Sequence, residues 1–132
     1  MRLMPISARN LLSRRTGETL ADHRDSDWIA GCVNCRQELL QHCADAGFTP
    51  RIAYTSDDII VEQAFVAAGL GVTTMPGLAL RSHHLDGVQA TELSVVRRIY
   101  LATYGEPPDP PATAAFIEAL QRVVGSARFA GS

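Results

Sequence analysis

The residues best equipped for chemistry stand close together. Cys32, Cys35 and Cys43 are the three cysteines of the chain, and all lie in the stretch DWIAGCVNCRQELLQHC, residues 27–43. The first two have the C-x-x-C spacing, which suits a dithiol that opens and closes or one half of a zinc site. Zinc usually takes four ligands, from two such pairs or from one pair plus a histidine pair. His42, His83 and His84 are available, but their spacing matches no zinc pattern. Cys43 does not complete a set either. On a helix that starts at Cys32 it shares the face of Cys32 but lies about 16 Å along the axis. The redox reading has one point in its favour: a C-x-x-C at a helix N-terminus lowers the pKa of its first thiol. Against it, no aromatic residue adjoins the first cysteine; Trp28 is four residues away, with Ala30 and Gly31 between them. A structural role, a redox dithiol and a metal site all stay open on the residues alone.

The elements that would position these residues follow from pattern. RLMPI at 2–6 reads as a short strand, and the polar, Arg-rich residues 7–26 read as loop. DWIAG reads as a strand ending in a turn at Gly31. From Val33 to Ala46, residues Leu39, Leu40, Cys43 and Ala46 recur at helical spacing. Gly47 then suits a helix stop, with Phe48 as the apolar closing residue. PRIAYT at 50–55 alternates like a strand. TSDD opens a second helix, with Thr55 and Asp58 spaced for a capping box. VTTMP at 72–76 reads as a buried strand, GLALRS as a short helical turn, and GVQATEL and SVVRRIYLATYG as two strands. EPPDPP is a stiff linker whose last proline suits the first turn of a final helix, 112–124. Phe116, Ile117, Leu120, Val123 and Val124 form one stripe on it. Alternation of strand and helix from 27 to 124 predicts an α/β sheet with some parallel pairing.

Composition narrows the classes. At 132 residues the chain is the size of one domain, and 46% hydrophobic residues suffice for a core. A net charge of -2 gives no general attraction to nucleic acid, and Arg97 and Arg98 read as strand-edge charges. The N-terminus lacks the apolar run of a secretion signal, and no stretch approaches a membrane span. With an odd number of cysteines the expectation is a cytoplasmic chain with reduced thiols and no membrane contact. No catalytic constellation or cofactor motif emerges, so neither an enzyme nor a cofactor is expected.

Ligands of open α/β sheets bind beyond the carboxyl ends of strands. Three such ends can be named: Ala30-Gly31-Cys32, Thr55-Ser56-Asp57 and Thr73-Thr74. The first two lead into helix N-termini, which suit an anion. Ser56 and Thr74 are the polar candidates there, and Gly31 lets a ligand approach the backbone.

Four pieces in order, DWIAG, AGFTPRIAYTSDD, IIVEQAFVAAGLGVTTMPGLAL and RRIYLATYG followed by AFIEALQRV, resemble the effector-binding domain of LysR-type transcriptional regulators. The resemblance covers 27–124, and residues 1–26 share it only loosely. It implies one lobe of a type 2 periplasmic-binding-protein-like α/β fold, a mixed sheet with flanking helices. It divides the chain into a poorly matched N-terminal segment (1–26), the second lobe (27–105) and a linker with the C-terminal helix (106–132). No segment resembles the family's DNA-binding helix-turn-helix, so the resemblance implies a truncated sensor of a small molecule without direct DNA binding. The implied effector is a small molecule such as a carboxylate, and the loop after the tryptophan strand would line its cleft. That points to Ile29, Ala30, Gly31 and Cys32, with Asn34 nearby. The helix stripe at 116–124, lacking a first lobe to cover, is expected to pack on another copy in a homodimer or to fold back. A thiol redox or metal-binding protein and a remnant that only dimerises are the alternatives.

Overall fold

The computed structural model describes residues 1–13 and 19–126. Its strands are β1 (Arg2–Ser13), β2 (Asp27–Ala30), β3 (Arg51–Thr55), β4 (Thr74–Pro76) and β5 (Ala90–Thr103). Its helices are α1 (Val33–Asp45), α2 (Ile59–Ala67), α3 (Gly77–Ser82) and α4 (Pro111–Ser126), with a 3-10 turn at Leu20–His23.

The short strand β2 organises the core. Trp28, Ile29 and Ala30 are all fully buried. Successive residues of a strand point to opposite faces, and here each face meets apolar side chains. Trp28 and Ala30 join Leu20, Leu39, Cys43 and Val72, with Phe48 and Ile52 packed alongside. Ile29 joins Val66 and Val88. A strand buried on both faces reads as a continuous apolar run, which is why WIA does not alternate. The Trp28 indole N–H donates to the His23 carbonyl at 3.1 Å, so the one polar atom of that ring is satisfied.

β2 pairs in parallel with β3, through Trp28 with Ile52 and Ala30 with Thr55. On its other side it bridges to Val72, where the Ile29 amide donates to the Val72 carbonyl at 2.9 Å. This approach needs Gly71: a Cβ there would stand 2.5 Å from the Asp27 carbonyl oxygen. The stretch VTTMP therefore serves two partners. Val72 lies against β2, while Thr74–Pro76 pair antiparallel with β1, Leu12 opposite Thr74. The second sheet has the order β4-β1-β5.

Three sequence expectations are corrected. The first strand does not stop at residue 6 but runs to Ser13, and the loop expected over 7–26 contains the 3-10 turn; residues 14–18 of it lie outside the described residues. A central place between β4 and β1's other neighbour, β5, supplies ladder partners on both sides, and pairing outweighs the weak local pattern. The two strands expected over 87–105 are one, β5, of 14 residues, with no turn at Leu93-Ser94.

The chain divides into two compact units, Ala8–Arg97 and Met1–Ser7 with Arg98–Ser132. In the larger unit stand the three strand ends named above. In the smaller one the Arg2 guanidinium pairs with the Asp109 carboxylate. There α4 begins at Pro111 as expected. Phe116 and Val123 of its stripe are each 63% exposed, while Ile117, Leu120 and Val124 are half-buried.

Candidate functional site

The carboxyl ends of β2 and β3 lie side by side, as parallel pairing requires. After Ala30 the chain leaves the sheet at Gly31, and Cys32 becomes the N-cap of α1. Its sulfur accepts the Cys35 amide at 3.2 Å. Cys32 and Cys35 are joined as a disulfide, with their Cα atoms 5.0 Å apart. Both are half-buried, and Val33 between them is 76% exposed. The expectation of reduced thiols thus holds only for Cys43. That thiol lies in the core, and burial pushes its pKa up to about 11.

At the end of β3 the Ser56 amide donates to the Ala30 carbonyl at 3.0 Å, which stitches the two loops together. The Ser56 hydroxyl accepts the Asp58 amide at 3.1 Å. The Asp58 carboxylate caps α2, accepting from Ile60 at 2.7 Å and Val61 at 3.4 Å. The capping box expected between Thr55 and Asp58 does not form. Thr55 still belongs to β3, and the helix starts four residues later at Ile59, so Asp58 caps it alone.

One turn into α2 stands Glu62, only 6% exposed. Its Oε2 lies 3.2 Å from the Thr73 hydroxyl, which also lies 2.9 Å from the Ile29 carbonyl. A hydroxyl has one proton to give. The buried Ile29 carbonyl is the closer acceptor and needs a donor. Glu62 can keep this contact in either state, as a carboxylate that accepts from the Thr73 hydroxyl or as a carboxyl that donates to it. Burial, helped by the charges of Asp57 and Asp58, outweighs the Thr73 hydrogen bond and raises the Glu62 pKa to about 7. Gly31 makes room for this group: a Cβ on Gly31 would stand 3.1 Å from Glu62 Oε1 and 3.2 Å from Cys35 Cβ. Gly31, Cys35, Glu62 and Thr73 thus form one cluster behind the loop.

The residues singled out in the sequence divide by what they present. Gly31, Cys32 and Ser56 stand at the joined strand ends. Ile29 and Ala30 put their side chains into the core; their carbonyls are taken by Thr73 and Ser56. Asn34 is exposed on the first turn of α1, and Thr74 is half-buried in β4. Glu62 was missed, although a signal exists. Ile59, Glu62, Gln63 and Val66 share one helical stripe, yet Glu62, Gln63 and Val66 are the buried residues, while Ile60 is 49% exposed. A carboxyl and an amide inside the inward stripe mark a polar interior. Gln63 uses its amide to donate to the His83 carbonyl at 2.9 Å and to accept the Leu85 amide at 2.7 Å, fixing the segment after α3.

Among the described residues no group of three His, Cys, Asp or Glu side chains is arranged to hold a metal ion. No helix among them is long and apolar enough to cross a membrane.

Comparison with known proteins completes the picture. The OxyR C206 mutant of Corynebacterium glutamicum superposes with a TM-score of 0.74 at 18% identity, over 95% of this chain and 44% of that one. The regulatory domain of Synechocystis PCC6803 CcmR, in complex with 2-PG, gives 0.74 at 15% identity, over 96% of this chain and 68% of that one. The BenM effector binding domain with its effector benzoate gives 0.71 at 14% identity, over 98% and 67%. At these identities the likeness shows the fold, a lobe of the periplasmic-binding-protein kind. The chain spans less than half of the OxyR chain and about two thirds of the two regulatory domains. The comparison with curated proteins finds no match. The family model for the LysR substrate binding domain matches residues 1–125, taking in the N-terminal segment that the resemblance reached only loosely. A match over nearly the whole chain settles the family: the chain belongs to the LysR substrate-binding domains, the effector-binding part of LysR-type transcriptional regulators.

Proposed function

We propose that this chain senses a small molecule for a LysR-type regulator, holding it at the joined carboxyl ends of β2 and β3 and passing the change to DNA-binding parts of the regulator. The observation that carries this reading is the stitch from the Ser56 amide to the Ala30 carbonyl, which makes one edge of two loops. Gly31, Cys32, Asn34 and Ser56 are its accessible members, and Thr74 is an outer one. Ile29 and Ala30 act through the backbone that shapes it.

The ligand class proposed is a small organic acid. The first-turn amides of α1, at Val33 and Asn34, have no intrahelical partner and favour an anion. The corresponding amides of α2 are occupied by the Asp58 carboxylate, so α1 is the better half of the edge. BenM with benzoate and QuiR with shikimate supply acids of suitable size as first probes. Catalysis and cofactors have no part in this proposal. A second copy of the chain would cover the α4 stripe, so Phe116→Ser should shift sedimentation from dimer to monomer.

The test is titration calorimetry with a panel of small organic acids, benzoate and shikimate first, against the wild type and Gly31→Val. Saturable binding to the wild type, weakened about tenfold or more in the variant, is the expected result. A panel without a binder, or equal binding by both proteins, would overturn the reading.

A further inference from the structure

Cys32 and Cys35 are placed unlike any other pair in the molecule. They are the only residues among those described that are joined covalently side chain to side chain. They stand in the first turn of α1, half-buried, beside the exposed Val33, so small solutes can reach them. Cys32 is the cap itself, and its sulfur already accepts the Cys35 amide. In the reduced form that same hydrogen bond and the helix N-terminus would hold negative charge on the Cys32 sulfur. Behind the pair stands the buried carboxyl of Glu62. Its Oε1 and the Cys35 sulfur are both within 4 Å of one point, the place a Gly31 Cβ would occupy.

We propose that Cys32 and Cys35 are a reversible thiol–disulfide couple that exchanges with low-molecular-weight thiols and disulfides, with Glu62 as the positioned proton acceptor for Cys35. In the closing direction the Cys32 thiolate attacks a small disulfide, RSSR. A bond forms between Cys32 and one RS group, and the other leaves as RS⁻. Cys35 gives its proton to the Glu62 carboxylate and attacks the Cys32 sulfur, expelling the second RS⁻. The two protein sulfurs lose two electrons and RSSR gains them; Cys32 starts as the thiolate, so the one proton released, that of Cys35, passes by way of Glu62 to a departing RS⁻, and the products are one RSH and one RS⁻. Opening is the reverse. The pair lies half-buried at the loop after β2, whereas the core thiol Cys43 is sealed and its pKa is raised. The proposal goes beyond effector binding and stands whether or not the same edge holds an acid.

The test equilibrates the full chain with mixtures of reduced and oxidised glutathione, quenches with acid, alkylates and maps the peptides by mass. The expected result is a loss of two hydrogens confined to Cys32 and Cys35, complete in oxidised glutathione and fully reversed in the reduced form, with Cys43 alkylated only after unfolding. Cys35→Ser should hold one glutathione on Cys32 as a stable mixed disulfide. Glu62→Gln should leave the alkylation rate of Cys32 within about twofold but slow closure of the mixed disulfide about tenfold or more near pH 7, where a carboxylate acts as general base. Should Glu62→Gln fail to fold, Glu62→Asp, which draws the carboxylate back from Cys35, should slow closure instead. A pair that stays reduced in every mixture, glutathione carried by Cys43, or closure at the wild-type rate in the Glu62 variant would overturn the proposal.

Discussion

The two ends of α1 carry the same kind of residue in opposite circumstances. At the far end Cys43 is wholly buried against Trp28 and Leu39, and its thiol holds its proton. At the near end Cys32 and Cys35 are half-buried, joined to each other, and placed against the helix N-terminus and a carboxyl. Residue type does not separate them; position on the helix does. The far end packs on the face of β2 that holds Trp28 and Ala30. The near end hangs over the strand's carboxyl end, where the backbone turns away from the sheet and polar groups collect. One helix thus ties the core to the candidate site, and each end can be tested against the other.

The largest contrast should be in stability. Leu39→Ala at the core end should cost about 2–5 kcal/mol in urea denaturation, whereas Asn34→Ala at the exposed end should stay within about 0.5 kcal/mol. Equal costs would erase the distinction between the ends.

Next in size is a pH effect from Glu62. Its pKa in the fold, about 7, lies above the ordinary 4.5, so the folded chain keeps a proton that the unfolded chain has lost. Its contribution is therefore fully present below about pH 4.5, declines as pH rises, and is gone above about pH 7, a total of about 3 kcal/mol. Glu62→Gln should remove this slope while keeping the contact with Thr73. A wild-type stability flat across that window would contradict the proton on Glu62.

A smaller loss should follow Gly31→Ala. The added methyl meets both Glu62 Oε1 and Cys35 Cβ inside ordinary contact distance. Overpacking of this kind costs about 1–3 kcal/mol, and the flexible Glu62 side chain favours the lower end. Pairing the variant with Glu62→Ala should recover part of the loss. The smallest effect is Asp58→Ala, about 1 kcal/mol from the two amides it leaves uncapped. Thermal unfolding resolves both.

The sequence was informative wherever local chemistry decides. The strand DWIA, the helix from Val33, the helix stop at Gly47 and the proline start of α4 all have causes within a few residues. Long-range pairing was less legible. Nothing in SARNLLS says that it lies between two strands, because its partners are some sixty to ninety residues away. The candidate edge was readable at Gly31, Cys32 and Ser56, since strand ends and helix starts are local events. Glu62 was not found, because IIVEQAFVAA carries apolar residues on a wide face and no single inward stripe stands out. The fold turns this helix so that Glu62 and Gln63 face inward. What orients them is Thr73 and the loop at 83–85, both distant in the chain.

A small-molecule sensor of this kind must be touched by its acid at the joined ends of β2 and β3. Amide NMR of the wild type, titrated with the organic-acid panel, reads that without any variant. The expected result is a saturable shift confined to residues 31–35 and 56–58 for at least one acid. No shift with any member, or shifts centred on α4 or α3 with residues 31–35 unmoved, would contradict it.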